Sequence, residues 1–250
     1  MQEIASSRTM LKNKKILVFG GDASLCDIMF TGYLENHANV WWINSVQEIS
    51  NSNIDVNKIF FDNIHSIDTY DSSLNAIIEK LPVFDGIVFS LSIGTLRPLN
   101  LTKSIHLSKL FEINCMAFVE LIRILNIKKK IREGSSILAY SSISSIMGLK
   151  TKIAYSISKA ALNSAILNLA AELCTKKIRV NGILKGALTS DFNQEHVINM
   201  FSIGNDTSGS QDLGISTPEE IVNLSIFLLS DQVTTMTGTL IKLDGGYSLG

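Results

Sequence analysis

The sequence predicts a single α/β domain built on one doubly wound parallel sheet, a Rossmann-type arrangement with helices on both faces. Three observations carry that prediction. Seven short apolar runs recur along the chain from Lys14 onward. Most are continuous rather than alternating, which marks strands buried on both faces. Stretches with helical spacing separate them, and no linker, repeat or low-complexity break interrupts the series. Right-handed crossovers then wind the sheet outward from its centre.

The elements follow in order. Ile16-Leu-Val-Phe19 reads as the first strand, closed by a turn of small residues, and a helix runs from about Leu25 to Glu35. Val40-Trp-Trp-Ile43 is the second strand and Lys58-Ile-Phe-Phe61 the third. Ser66 to Lys80 has helical spacing, and Gly86-Ile-Val-Phe89 is the fourth strand. Ser104 to Lys130 reads as a long helix and Ser136-Ile-Leu-Ala-Tyr140 as the fifth strand. A second long helix runs from Ala154 to Thr175, followed by the sixth strand, Ile178 to Ile183. Glu219 to Leu229 is the last helix and Thr239-Leu-Ile-Lys-Leu243 the last strand. Residues 13–250 form one domain on this reading. Residues 1–12 are expected to be a flexible tail, with Met1 and Met10 both open as the natural start.

Composition narrows the function. The chain has 250 residues, 46% hydrophobic and 18% charged, enough to build a sizeable core. A net charge of −1 gives no electrostatic case for binding nucleic acid or an anionic membrane. Cys26, Cys115 and Cys174 lie far apart without metal-ligand spacing, so no metal site is expected. Their low, odd count fits a reducing compartment, and a cytoplasmic setting is expected. No apolar run reaches the roughly 18 residues of a membrane span, and no signal peptide opens the chain.

Ligands of doubly wound sheets bind at the carboxyl ends of the strands. Chemistry is therefore expected just after Phe19, Phe89, Tyr140 and Ile183. Tyr155-Ser-Ile-Ser-Lys159 opens a predicted helix there, and positions i and i+4 share one helix face. An ammonium beside a phenol stabilises the phenolate, so the phenol can serve as a general acid or base near neutrality. By itself the pair also reads as a solvated surface couple. Ser141-Ser142 follows the fifth strand, thirteen residues before Tyr155 in the case of Ser142. A hydroxyl there could hold a carbonyl oxygen beside the phenol, or simply form the loop turn, as Ser144 and Ser145 are expected to do.

From Lys14 to the C-terminus the chain resembles the short-chain dehydrogenase/reductase family. The spacing of Ser142, Tyr155 and Lys159 is similar to that family's catalytic set, and Asn114 in Phe111-Glu-Ile-Asn-Cys115 resembles its fourth member. Ile178-Arg-Val-Asn-Gly-Ile183, Thr217-Pro-Glu-Glu-Ile221, Phe227-Leu-Leu-Ser-Asp231 and the ending from Thr237-Gly-Thr-Leu240 to Asp244-Gly-Gly-Tyr247 match in order and spacing. The resemblance implies an oxidoreductase that moves a hydride between a nicotinamide cofactor and a carbonyl or secondary alcohol. Tyr155 would exchange a proton with the substrate oxygen. Lys159 would favour the phenolate and bind the nicotinamide ribose. Ser142 would polarise the carbonyl, and Asn114 would hold a water in a proton relay.

The cofactor loop departs from the family pattern Gly-x-x-x-Gly-x-Gly. Here it reads Gly20-Gly-Asp-Ala-Ser24-Leu-Cys26, so Ser24 and Cys26 replace two glycines. Ser24 could donate to phosphate, or could form a helix-capping box with Asp27. Asp22 and Asp27 bring negative charge to an anion site at a helix start. Asn44-Ser45 stands where an acid would select NAD, and its absence leans toward NADP(H). Asp62-Asn63 fits the family's adenine-binding pair. Ser90-Leu91-Ser92 stands at the turn after the fourth strand. Lys185-Gly186 replaces Pro-Gly, with Leu188 and Ser190 beyond it and Thr189 as a substitute for Ser190. With Gly20, Leu25, Tyr155 and Lys159, these residues make up the expected cofactor set. The rival reading is a catalytically weak or inactive relative, a binding or scaffold subunit with a decayed cofactor loop.

The family sets its substrate in the loop after the sixth strand, here about Asp191 to Ser216, with Phe192, Met200 and Phe201 as candidate pocket residues. 3-Oxoacyl and sugar-like substrates are the two classes the resemblance implies. It also implies a homo-oligomer, a dimer or tetramer, built on the two long helices.

Overall fold

β-Branched and aromatic residues crowd the predicted strands, and they form a seven-stranded sheet. A computed structural model describes residues 9–45, 54–188 and 212–249. The strands are β1 (Lys15–Phe19), β2 (Asn39–Asn44), β3 (Asn57–Phe60), β4 (Phe84–Phe89), β5 (Ile131–Ser142), β6 (Arg179–Lys185) and β7 (Leu240–Leu243). Their order is β3-β2-β1-β4-β5-β6-β7, with every pairing parallel. The chain leaves β1 in one direction and resumes at β4 in the other. That reversal opens a crevice at the carboxyl edge between β1 and β4.

Both faces of the sheet are buried, which explains the continuous apolar runs. On β1, Leu17 and Phe19 face one core and Ile16 and Val18 the other. The first core is closed by α4 (Ala117–Ile127) and α5 (Ile153–Leu173), through Phe118, Leu121 and Ile166. The second is closed by α1 (Ala23–Glu35) and α6 (Pro218–Leu229), through Met29, Phe30, Ile221 and Leu229. α6 opens with a capping box in which Thr217 and Glu220 satisfy each other's backbone N–H.

Three expectations change. Leu11, placed in the tail, is 0% exposed and packs into the second core. The stretch from Ser66 to Lys80 is a 3₁₀ turn (Ile67–Thr69), a π turn (Tyr70–Leu74) and a short helix, α2 (Asn75–Glu79). The long helix from Ser104 is α3 (Ser104–Phe111) joined to α4 by a π turn, Glu112–Met116. That widened turn carries Asn114.

Candidate active site

β5 and β6 end side by side, with Ser142 in register with Lys185. α5 starts nearby and presents Tyr155 and Lys159 one helical turn apart. Lys159 is 1% exposed. Its Nζ donates to the Tyr140 carbonyl oxygen at 2.9 Å and lies 5.9 Å from the centroid of the Tyr155 ring. Burial depresses its pKa to about 7, and the nearby Lys185 ammonium pushes the same way. Ser142 ends β5 and caps the turn Ile143–Ser145, its Oγ accepting from the Ser144 N–H at 3.1 Å. That bond uses the oxygen as acceptor and leaves the O–H as a donor.

The loop around these residues is cross-braced. Ser141 donates to Asn163 Oδ1 at 2.7 Å, and Asn163 donates to Ser145 Oγ at 2.7 Å. Asn114 is fully buried. It accepts from the Ile93 N–H at 2.8 Å and donates to the Ile93 carbonyl and Ser158 Oγ, both at 2.9 Å. Both of its amide donors are thus spent tying the turn after β4 to α5. Ser158 in turn donates to the Tyr155 carbonyl at 2.8 Å.

A cleft of about 650 Å³ occupies the crevice, lined by Gly21, Asp22, Ala23, Asn44, Ser45, His65, Ser90, Leu91, Ser92 and Lys185. The volume lies in the range of small-ligand and cofactor sites. Gly20 does not itself line the cleft but is required against Leu91, which does. Its φ is +74°, and a Cβ there would stand 2.6 Å from the Leu91 Cα. Cys26 is accommodated by a different glycine. Its buried sulfur lies where a Gly21 Cβ would come within 2.7 Å, so the missing side chain at Gly21 makes room for the added one at Cys26. Burial holds that thiol protonated, with its pKa far above the usual range.

The predicted cap on α1 is wrong. Helix α1 begins at Ala23, two residues earlier than expected, so Asp22 becomes the N-cap. Asp22 Oδ1 accepts from the Leu25 N–H at 2.9 Å and from the Ser24 hydroxyl at 2.7 Å. No Ser24–Asp27 box forms, and Asp27 Oδ1 is buried without a hydrogen-bond partner. A carboxylate therefore holds one of the first-turn N–H groups that an anion would use.

The other expected cofactor residues divide. Ser45, Ser90, Leu91, Ser92 and Lys185 line the cleft. Asn44 also lines it, but its amide donates to the Gly21 carbonyl and accepts from the Ser45 N–H, both at 2.9 Å, which makes it a loop brace. Asp62 and Asn63 lie exposed on the turn after β3, and the cleft takes His65 from that turn instead. Gly186 donates its N–H to the Leu243 carbonyl at 2.8 Å. Leu188 turns into the second core. Thr189, Ser190, Phe192, Met200 and Phe201 lie outside the described residues. Sequence reasoning missed Asp22 as a cap and Gly21, Asp22, Ala23 and His65 as cleft residues. His65 had no sequence signal, being one polar residue in a turn. Among the described residues no group of three or more His, Cys, Asp or Glu side chains could hold a metal ion, and no helix is long and apolar enough to cross a membrane.

A crevice at the sheet's switch point, flanked by a buried lysine one turn beyond a tyrosine, is the architecture of nicotinamide-dependent oxidoreductases. A family model described as enoyl-(acyl carrier protein) reductase matches residues 44–248, and the chain belongs to the short-chain dehydrogenase/reductase family. The 3α-hydroxysteroid dehydrogenase of Mediterraneibacter gnavus is 28% identical over 94% of this chain and 97% of that protein. The 7α-hydroxysteroid dehydrogenase of Clostridium sardiniense is 32% identical, over 47% of this chain and 44% of its own length. A short chain dehydrogenase family protein from Francisella tularensis superposes with a TM-score of 0.80 at 26% identity, covering 95% of this chain and 100% of the other. The FabI–NADH complex from Alistipes finegoldii shares the fold at a TM-score of 0.83 and 21% identity, over 96% of this chain and 90% of that one.

Proposed function

We propose that this chain is an NAD(P)(H)-dependent oxidoreductase acting on a carbonyl or secondary-alcohol substrate through Tyr155, Lys159, Ser142 and Asn114. The observation that carries the reading is the buried Lys159 beside the Tyr155 ring, with the Ser142 hydroxyl at the adjacent strand end. The cleft fits a dinucleotide in size. When bound, the nicotinamide supplies or accepts the hydride. The protein's own groups do the rest. In the reductive direction Ser142 donates to the substrate oxygen and Tyr155 gives that oxygen its proton. The Lys159 ammonium favours the phenolate left behind. Asn114 acts as a positioning residue that keeps the turn after β4 against α5.

The absence of a carboxylate at Asn44-Ser45 favours NADP(H) over NAD(H), and titration with both coenzymes decides the choice. The hydroxysteroid dehydrogenases among the relatives add hydroxysteroids to the 3-oxoacyl and sugar-like substrate classes. We read the protein as cytoplasmic and homo-oligomeric. One observation favours the rival reading of a catalytically silent binding subunit: the Asp22 carboxylate on the Leu25 N–H. The test is Tyr155→Phe, assayed on a panel of 3-oxoacyl thioesters, ketosteroids and aldoses. Turnover is expected to vanish while coenzyme Kd stays within about threefold of wild type. Normal turnover in the variant removes the mechanism, and wild-type protein that binds neither NADH nor NADPH at millimolar concentration favours the silent subunit.

A further inference from the structure

Asp62 and Asn63 are exposed on the turn after β3 and do not line the cleft, whereas His65 on the same turn does. That turn is fixed at several points. The Phe61 N–H donates to the Asn44 carbonyl at 2.8 Å, which ties it to the end of β2. The Ser66 N–H donates to the Asn63 carbonyl at 2.9 Å and closes it. Lys109 of α3 donates from Nζ to the His65 carbonyl at 2.9 Å, and Glu112 accepts from the Ile67 N–H at 3.2 Å. The imidazole itself is half-buried. Burial lowers its pKa below the ordinary 6.5, and the Lys109 ammonium pushes the same way. At neutral pH it is therefore a flat, uncharged ring on a braced turn.

Strand order decides which part of a coenzyme reaches this ring. Ser142 and Tyr155 hold the reacting oxygen, so the nicotinamide lies at the end of β5. In doubly wound sheets the pyrophosphate meets the helix start after β1, and the end of β2 holds the ribose of the adenosine half. The sheet runs β5, β4, β1, β2, β3 in that direction. The cleft takes the same course, from Lys185 beside Ser142, past Ser90 and Ala23, to Asn44 and then His65. The group beyond that ribose is the adenine base, and the strand beyond β2 is β3.

We propose that His65 is the adenine platform of the site: the base stacks on the imidazole, and Asp62 and Asn63 take no part in holding it. The inference rests on the oxidoreductase reading. Two uncharged rings can stack without either giving up the hydration of a charge. A stacked face is common to every base, whereas hydrogen bonds to the base edge are not. The site therefore reads the coenzyme's base by shape and tolerates a change at its 6-amino group.

The experiment measures Kd on the intact chain, by fluorescence and calorimetric titration. Its probes are NADH, NADPH, ADP-ribose, reduced nicotinamide mononucleotide and reduced nicotinamide hypoxanthine dinucleotide. His65→Ala is expected to weaken NADH, NADPH and ADP-ribose about tenfold, and to leave the mononucleotide, which has no adenine, unchanged. His65→Phe keeps a flat ring and is expected to stay within about threefold of wild type. Asp62→Asn is expected to change nothing, and wild type to bind the hypoxanthine coenzyme within about threefold of NADH. His65→Ser serves as the second ring-free variant should His65→Ala fail to fold. Full affinity in the ring-free variant overturns the inference. So does a loss shared by the mononucleotide, a loss in His65→Phe or Asp62→Asn as large as in His65→Ala, or strong rejection of hypoxanthine. Each of these outcomes leaves the oxidoreductase reading intact. Wild type that binds none of NADH, NADPH and ADP-ribose overturns both.

Discussion

Lys159 shows how a single side chain can couple function to stability. Its pKa in the folded chain is about 7, against an ordinary value of 10.5. Between those values the unfolded chain binds more protons than the folded one, so stability rises with pH from about 7 upward. Cys26 sets the upper limit. Its buried thiol keeps a proton beyond the usual 9.0, so above about pH 9 it cancels the rise that Lys159 drives and stability levels off. The melting temperature of the coenzyme-free protein is expected to climb from pH 7 to 9, and Lys159→Met to flatten that climb. A wild-type melting temperature that falls steadily across this window contradicts the assignment. The pair Tyr155 and Lys159 was legible because helical spacing puts them on one face and because Ser142 upstream and the family resemblance mark them as more than a surface couple. The α1 cap was not. Asp22 and Ser24 are both competent caps, and the choice depends on where the helix starts, to within two residues. The tolerance of Cys26 was equally hidden, because it depends on Gly21 leaving space across the turn.

At the scale of elements, the seven strands were readable because burial on both faces makes each one uniformly apolar. The π turns were not readable. An extra residue in one helical turn barely disturbs the apolar period, so Ser104 to Lys130 looks continuous in sequence. Asn114 was the local clue, a polar side chain on the core-facing side of an apolar helix. The start of α6 was legible only through the resemblance that Thr217-Pro-Glu-Glu carries, yet its physics is local. The Thr217 hydroxyl takes the Glu220 N–H at 3.3 Å, and the Glu220 carboxylate takes the Thr217 N–H at 2.8 Å. Thr217→Ala is expected to cost about 1 kcal/mol of stability in a urea titration. Coenzyme affinity should stay unchanged, and an altered affinity would mean that the cap also shapes the cleft.

For the molecule as a whole, the helices Ala117–Ile127 and Ile153–Leu173 carry more apolar surface than a lone domain needs. On α5, Ile153, Ile157, Ala160, Ser164, Leu167 and Ala171 form an exposed stripe at helical spacing without a single charge. Met116 in the preceding π turn and Val119 on the neighbouring helix continue this exposed apolar surface. We expect these faces to cover one another between copies of the chain. Light scattering should then give a multiple of the 27.4 kDa chain mass, and Val119→Glu with Leu167→Glu should return it to one. A wild-type protein already at 27.4 kDa refutes the assembly. The sheet's outer boundary has a consequence of its own. Among the described residues β7 is the last strand in sequence order and the outermost, beside β6. Until residues 240–243 have been synthesised, the flank of β6 from Gly182 to Lys185 shows a row of unsatisfied amides and carbonyls beside an apolar surface. A nascent or C-terminally clipped chain is then a sticky template for its own kind, and its characteristic fate is aggregation rather than a gradual loss of activity.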